Sequence, residues 1–486
     1  MNTSPATAAA CAKETFGHAE LGDERRTRSL VAFAAGLMRR PAGRVTEVFK
    51  SAAKRERAYR LLENGAVTVV EVIVAMARAV AVRIAGLSMV YAVVDGSSLT
   101  LADRRGRKDF GRVGAHRDGA RGLKVITAFA VERTGIPLGV LWQCYWARQV
   151  RERRGTKRRD NLRRATREKE TQRWLDAING AAQYADAKKL WYLLDREGDS
   201  RELLQAVDAL KARFTIRSSW NRLLVAGRNG ARKYLRGVMN RAPLVAEYVV
   251  NVPAAHNRLA RRARMRVRSS AVRLLLKNRW CHTQSELALN VVWAREVGTT
   301  PRGEKRLDWM LLTNAPASTG SEALDVVRSY QVRWRIEDFH RTWKSGRCNV
   351  EDTQLHSMRA ATIFAAMNAA AAARIERLKH LSRNSPNQPA SLELTLAERT
   401  AIAALAYEIV NEPVAPGGRR QSKLVVPDPE TMDIATAVQW IAMFGGYTGK
   451  SSGGPPGATV IGRGLEEIVV GARVISVLLA QQRKRR

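Results

Sequence analysis

The sequence predicts an α/β protein with a mixed five-stranded sheet, a β-rich insertion before a closing helix, and helical regions at both ends. Three observations carry that expectation. Apolar runs rich in β-branched and aromatic residues alternate with helical patterns through the middle of the chain. Both ends show the spacing of amphipathic helices. With 45% hydrophobic residues over 486 positions, the chain can bury about three cores at ~150 residues each. The boundaries read as a helical region over 1–70, an α/β region over 71–384 and a helical region over 385–486.

The first seventy residues hold two helical patterns, LGDERRTRSLVAFAAGLMRR and AAKRERAYRLLENG, the second stopped by Asn64-Gly65. MVYAVVD, from Met89, has the continuous apolar character of a strand buried on both faces. LKVITAFAV (123–131) and PLGVLWQCYW (137–146) follow, joined by a connection short enough for a hairpin. A helix around Arg173–Ala187 leads to LWYLLD (190–195), then the helix SRELLQAVDALKA and the strand RFTIRS (213–218). This order, β, β, β, α, β, α, β and later a long helix, is that of the RNase H-like fold. From about 220 to 320 the runs EYVVNV, RMRVRSS, LNVVWAREV and LDWMLLT are β-like and basic, which marks the insertion. LSRNSPNQPAS reads as a linker.

Charge narrows the function. There are 83 basic against 45 acidic side chains, a net +38, which excludes a plain metabolic enzyme and points to a polyanion. Residues 144–175 carry 12 basic and 4 acidic groups, and residues 228–279 carry 14 basic groups against Glu247 alone. Residues 176–227 are nearly neutral, with 8 basic and 7 acidic groups. A neutral segment between basic ones suits an acidic site inside a phosphate-binding surface. An anionic membrane is the rival partner, but Val67–Val94 is broken by Glu71, Arg78 and Arg83, and Ala360–Ala373 is too short to span a bilayer. Cys11, Cys144, Cys281 and Cys348 have no paired spacing, and His282 beside Cys281 lacks further ligands. No secretory signal is read at the N-terminus, so a soluble cytoplasmic protein is expected.

Two aspartates end the two most buried strands, Asp95 and Asp195. Taken singly, each suits a helix cap or turn. Side by side on parallel strands, they would repel one another unless a cation neutralised them, which favours a divalent metal. The third element is SYQVRWRIEDFHRTWKSG (329–346). At about 100° per residue, Val332, Ile336, Phe339 and Trp343 fall in a ~60° apolar wedge. Tyr330, Arg333, Glu337 and Lys344 fall in another on the far side, placing a carboxylate among phosphate-binding groups.

Tyr330-x2-Arg333-x3-Glu337-x6-Lys344 resembles the Tyr-Arg-Glu-Lys signature of bacterial cut-and-paste insertion-sequence transposases, members of the DDE superfamily with an RNase H-like core. Leu21-Gly22-Asp23-x-Arg25-Arg26 and Ala58-Tyr59-Arg60 resemble their end-binding domain. Asp95-x-Ser-Ser-Leu and Asp195-Arg196-Glu197-Gly198-Asp199 resemble the first two catalytic motifs, Leu307-x-Trp309-x-Leu-Leu-Thr the insertion, and Phe444-Gly445-Gly446 the C-terminal domain. Gly96-Ser97 departs from the family's two threonines.

The resemblance implies that Asp95, Asp195 and Glu337 hold two Mg²⁺ ions, with Mn²⁺ able to substitute, about 3.5–4 Å apart. One strand at a transposon end would be hydrolysed, the freed 3′-OH would form a hairpin with the opposite strand, and the reopened end would join target DNA. Tyr330, Arg333 and Lys344 would grip phosphates, and Trp309 would receive a flipped base, with Trp334 beside it. From the residues alone, Trp309 equally suits a strand core. Arg25, Arg26 and Arg28 would bind the terminal inverted repeats. The partners implied are double-stranded end and target DNA and a second copy of the chain in a synaptic dimer, with helices Ala435–Met443 and Leu465–Leu479 as pairing surfaces. A nucleoid-associated bacterial enzyme without a nucleotide cofactor is expected.

Three other readings are weaker. GGYTGKSSGG lacks the glycine that a phosphate-binding P-loop needs at the position of Phe444, and reads as a structural turn. A DNA-binding regulator without cleavage activity would not need intact Asp95, Asp195, Glu337 and Lys344. A nuclease that cuts but never joins would not need the tyrosine, both tryptophans and the C-terminal region. Arg483–Arg486 suit either DNA contact or solvation.

Overall fold

The computed structural model describes residues 8–103, 105–114, 119–148, 170–226, 231–254, 259–277, 283–411, 424–449 and 454–485. Most of the basic stretch 144–175, Cys281-His282 and the side chains of Arg483–Arg486 lie outside them.

Five helices open the chain: α1 (Ala8–Phe16), α2 (Glu24–Arg39), α3 (Val45–Val48), α4 (Ala52–Glu63) and α5 (Val69–Ile84). Asp23 caps α2 by accepting from the Arg25 amide at 2.7 Å, and Thr68 caps α5 through the Glu71 amide at 3.1 Å. The apolar window that begins at Val67 is therefore a buried helix before it is a strand. Its arginines turn outward, Arg83 reaching Glu14 and Arg78 reaching Glu20. Among the described residues, no helix is long and apolar enough to cross a membrane.

The strands are β1 (Val90–Thr100), β2 (Gly111–Arg112), β3 (Arg121–Glu132), β4 (Pro137–Trp146), β5 (Leu190–Leu194), β6 (Arg213–Arg217), β7 (Leu244–Val252), β8 (Arg261–Lys277), β9 (Gln284–Val297) and β10 (Asp308–Thr313). Helices α6 (Glu170–Ala182), α7 (Arg201–Ala209) and α8 (Leu235–Arg241) lie between them. The expected five-stranded core is present in the order β4-β3-β1-β5-β6, with β1, β5 and β6 parallel and β3 antiparallel to both of its neighbours, β1 and β4. The insertion strands continue this sheet, because β10 pairs antiparallel with β6 and carries β9, β8 and β7 beyond it.

Side-chain alternation splits the sheet into two faces. Tyr91, Val93, Trp191 and Leu193 enter one core, while Val90, Ala92, Val94, Leu190, Tyr192 and Leu194 enter the other. The long strand β8 serves both. Ala263, Met265 and Val267 face the first core, and Val272, Leu274 and Leu276 the second, with the parity changing across Ser269–Ala271. Arg262, Arg264 and Arg266 alternate with the first set and are exposed, which explains the basic periodicity of the insertion.

The first face is covered by α9 (Gly320–Val332), α10 (Arg335–Lys344) and α11 (Met358–Asn384). The single closing helix expected over 329–346 is thus two. Around Arg333 the amides bond three residues back, Arg333 to Tyr330 and Trp334 to Gln331, and this tight turn separates α9 from α10. Thr319 and Glu322 form a reciprocal capping box at the start of α9. Phe339 stacks on Phe129 at 4.6 Å, seating α10 on β3. The N-terminal helices dock on α11, with Phe33 against Phe364 and Arg359 donating to the carbonyls of Glu63 and Val67.

The C-terminal helices α12 (Leu396–Asn411), α13 (Ile434–Phe444) and α14 (Ala458–Arg485) build a third core with the end of α11. The Ser/Asn/Pro-rich segment before them is folded, with Pro389 bridged to Asp433. The described part of GGYTGKSSGG is a turn that follows a helix, with Gly446 and Gly449 at positive φ and the Tyr447 hydroxyl donating to Gly454. Glu466 on α14 pairs with Arg40 and Arg347, joining both ends of the chain to the centre.

Candidate active site

The parallel pairing of β1 and β5 runs to Val94 opposite Leu194, so the next residue on each strand is an aspartate. Asp95 and Asp195 continue the parity of Val93 and Leu193, and both belong to the sheet face that α10 covers. Asp195 also caps the short turn after β5, accepting from the Glu197 amide at 2.7 Å. The cap role of that residue is compatible with its place beside Asp95.

Glu337, in the first turn of α10, completes the group through Arg333. The guanidinium lies 2.6 Å from Glu337 Oε1 and 4.0 Å from Asp95 Oδ2, with a side chain only 7% exposed. Burial pushes the Asp95 carboxyl up to about 7, with Arg333 opposing and the carboxylates of Asp195 and Glu337 adding to the rise. Glu197 beside them is also raised, by burial and then by Asp195. Four carboxylates thus gather at these strand ends, with Arg333 opposing the rise of Asp95 and Lys124 and Arg148 opposing that of Glu197.

The aromatic residues gather on the same side. Trp309 in β10 packs on Tyr330 with ring centroids 6.1 Å apart, and the Arg333 guanidinium lies 5.6 Å from the Tyr330 ring and 5.5 Å from that of Trp334. Tyr330 is buried with its hydroxyl beside the Arg217 guanidinium, while Trp334 is half exposed at the turn. Lys344, at the end of α10, lies 3.7 Å from Glu351, whose carboxylate accepts from the Thr100 amide at the end of β1. Arg25, Arg26 and Arg28 lie on α2. Arg25 and Arg28 are exposed, and Arg26 is spent on the Leu21 carbonyl at 2.9 Å. A Cβ at Gly96 would come within 3.2 Å of Ile126 and 3.4 Å of Trp174, so the departure from threonine there suits the packing of α6 on β1.

Sequence reasoning passed over His340. Its Nδ1 lies 3.9 Å from Asp95 Oδ2, and its Nε2 is buried with no hydrogen-bond partner among the described residues. Burial, followed by Lys344 and Arg333, holds the ring well below the usual histidine range, at about 3, so it is neutral at pH 7. The signal was present, since His340 falls on the edge of the wedge that holds Arg333 and Glu337.

The donor set suits a hard divalent cation: it is all-oxygen and anionic, and the Asp95 carboxyl is raised by burial and by its carboxylate neighbours. A second group, Asp338, Glu376 and His380, brings three metal-capable atoms within 4.8 Å of one another between α10 and α11. There the Lys379 ammonium already provides a cation, 3.5 Å from Asp338 and in contact with Glu376. Asp338 is held down at about 2, where burial is outweighed by His380, Lys379 and Arg335. This group reads as a fastener between two helices.

Comparison with known families fits this layout. Residues 8–67, the helices α1–α4, match a family described as transposase DNA-binding, and residues 92–373, from β1 through most of α11, match one described as transposase DDE domain.

Proposed function

Because the chain belongs to the DDE transposases and so is a DNA-binding enzyme that cleaves and transfers DNA strands, we propose that Asp95, Asp195 and Glu337 are its catalytic carboxylates and that they hold Mg²⁺. The observation that carries this is the register of β1 and β5, which sets the two aspartates beside one another on the face where Arg333 ties Glu337 to Asp95. Divalent ions bound there would polarise the scissile phosphate and lower the pKa of the attacking water or 3′-OH.

The protein's own groups do the positioning. Arg333 supplies a planar fork for phosphate oxygens, and Tyr330 and Lys344 lie to either side of it along the chain. Trp334, half exposed, offers an aromatic face for a base that leaves the stack when the end is bent into a hairpin, and Trp309, 8% exposed behind Tyr330, would take one only once uncovered. Arg25 and Arg28 on α2 contribute to gripping the terminal repeat, and Arg26 supports them by holding the turn before α2 through the Leu21 carbonyl. Exposed Tyr407, Val470 and Val474 on the C-terminal helices suit pairing with a second copy in the synaptic dimer.

The test incubates full-length protein with duplexes carrying the inverted repeats that flank its gene, plus Mg²⁺, and separates nicked, hairpin and joined products. Asp195→Ala should lose all three by more than about a thousandfold while still binding the end. Undiminished products in that variant would overturn the assignment.

A further inference from the structure

Trp220 is two-thirds exposed, yet both its backbone amide and its carbonyl are hydrogen-bonded by side chains. It stands three residues past the end of β6, on the edge where Asp195 follows β5. Asp199, with a side chain shut off from solvent, organises the loop. Its Oδ2 accepts from the Ser219 amide at 2.6 Å, the Trp220 amide at 3.3 Å and the Ser218 hydroxyl at 3.2 Å, and its Oδ1 accepts from Arg222 Nε at 2.7 Å. Arg222 reaches back to the Asp199 carbonyl at 2.8 Å, and the one Ser218 hydroxyl proton is shared between Asp199 Oδ2 and the Trp220 carbonyl, the latter at 3.0 Å. Desolvating a carboxylate is costly, and here the cost is met to fix a surface loop. What that loop presents to solvent is an indole.

The surroundings define the partner. Ser219 donates to the carbonyl of Arg196, the residue after Asp195, and the Ser218 amide donates to Met310, next to Trp309. Trp220 is thus tied to both the second aspartate and the strand of Trp309. The Trp309 ring is only 8% exposed, so of these two indoles Trp220 has the open face. Arg222 is engaged by Asp199 and Arg217 by the Asp308 carbonyl, so the cation left exposed beside this loop is Arg196, whose carbonyl Ser219 holds, and it suits a nearby phosphate.

Resting on the transposase reading above, we infer that Trp220 is a stacking platform for an unpaired base of the DNA strand lying along the ends of β5 and β6. A pre-fixed indole can take a base with little ordering cost, and the contact is indifferent to base identity.

The test is an abasic scan. Full-length wild type, Trp220→Ala, Trp220→Leu and Trp220→Phe are titrated by anisotropy, in EDTA, against inverted-repeat duplexes with one abasic site moved through the positions around the cut. Trp220→Ala and Trp220→Leu should bind the intact end roughly five- to a hundredfold more weakly, while Trp220→Phe stays within about threefold. At one position the abasic site should erase the difference between wild type and Trp220→Ala, and the salt dependence should keep its slope because no charge is removed. Binding within twofold of wild type in both Trp220→Ala and Trp220→Leu, or an equal loss at every abasic position, overturns the inference. Wild type that neither prefers the repeat nor cuts it in Mg²⁺ sinks the transposase reading and takes this inference with it.

Discussion

The Arg333 guanidinium spans 2.6 Å to Glu337 and 4.0 Å to Asp95, so one buried fork joins the first turn of a helix to the end of a strand. Arg333→Lys keeps the charge but not the two-armed reach. First-strand cleavage should fall by roughly ten- to a hundredfold while end binding changes by less than about threefold; the two are read from gel-resolved nicking rates and anisotropy titrations.

Trp309 packs on Tyr330 from the adjoining strand. Trp309→Ala should reduce hairpins by at least about tenfold more than first nicks, in proportion to a lost base-stacking energy. Equal loss of nicks and hairpins would place Trp309 in the core alone.

Chelation separates binding from chemistry. EDTA should abolish all strand products and leave end binding within about twofold, and added Mn²⁺ should restore cleavage, because the oxygen donors of the site suit either ion. Cleavage that survives exhaustive chelation would count against a metal at Asp95, Asp195 and Glu337.

Glu376 is buried between α10 and α11. Burial pushes its carboxyl up, but His380, Lys379 and Thr342 outweigh it and hold it below the usual range. A depressed carboxyl stabilises the fold above its unfolded pKa, and that contribution fades as pH falls through the lower folded value. Glu376→Gln should therefore cost about 3 kcal/mol at pH 7, with the gap to wild type narrowing below about pH 4. Denaturant melts of both proteins at several pH values would show it.

Helices α13 and α14 cross at closest range where Gly464 meets Ile441; a Cβ at Gly464 would lie 1.6 Å from the Ile441 carbonyl oxygen. Gly464→Ala must push the helices apart, at a cost of ~3 kcal/mol. A lowered Tm and faster proteolysis of the C-terminal helices are expected, with Asp195-dependent nicking retained by the folded fraction.

Patterned and local features were legible in the sequence. Continuous apolar runs marked β1 and β5, a β-like basic run marked β8, and the wedge of Tyr330, Arg333 and Glu337 survived the division of its helix, because each follows from short-range geometry. The helices α1, α3 and α5 went unassigned, since short or uniformly apolar segments carry weak periodicity.

The sequence by itself determined the order of the elements, the excess of positive charge and two aspartates at strand ends. Only the tertiary structure decided that Asp95 and Asp195 share a face, because strand neighbours are set by pairing across a hundred residues and not by spacing along the chain. The same holds for the sheet continuing from β6 into β10, for the burial of the Trp309 ring, and for Asp199 fixing Trp220. Burial and hydrogen bonding between distant segments depend on which surfaces meet, and that is settled when the chain closes on itself.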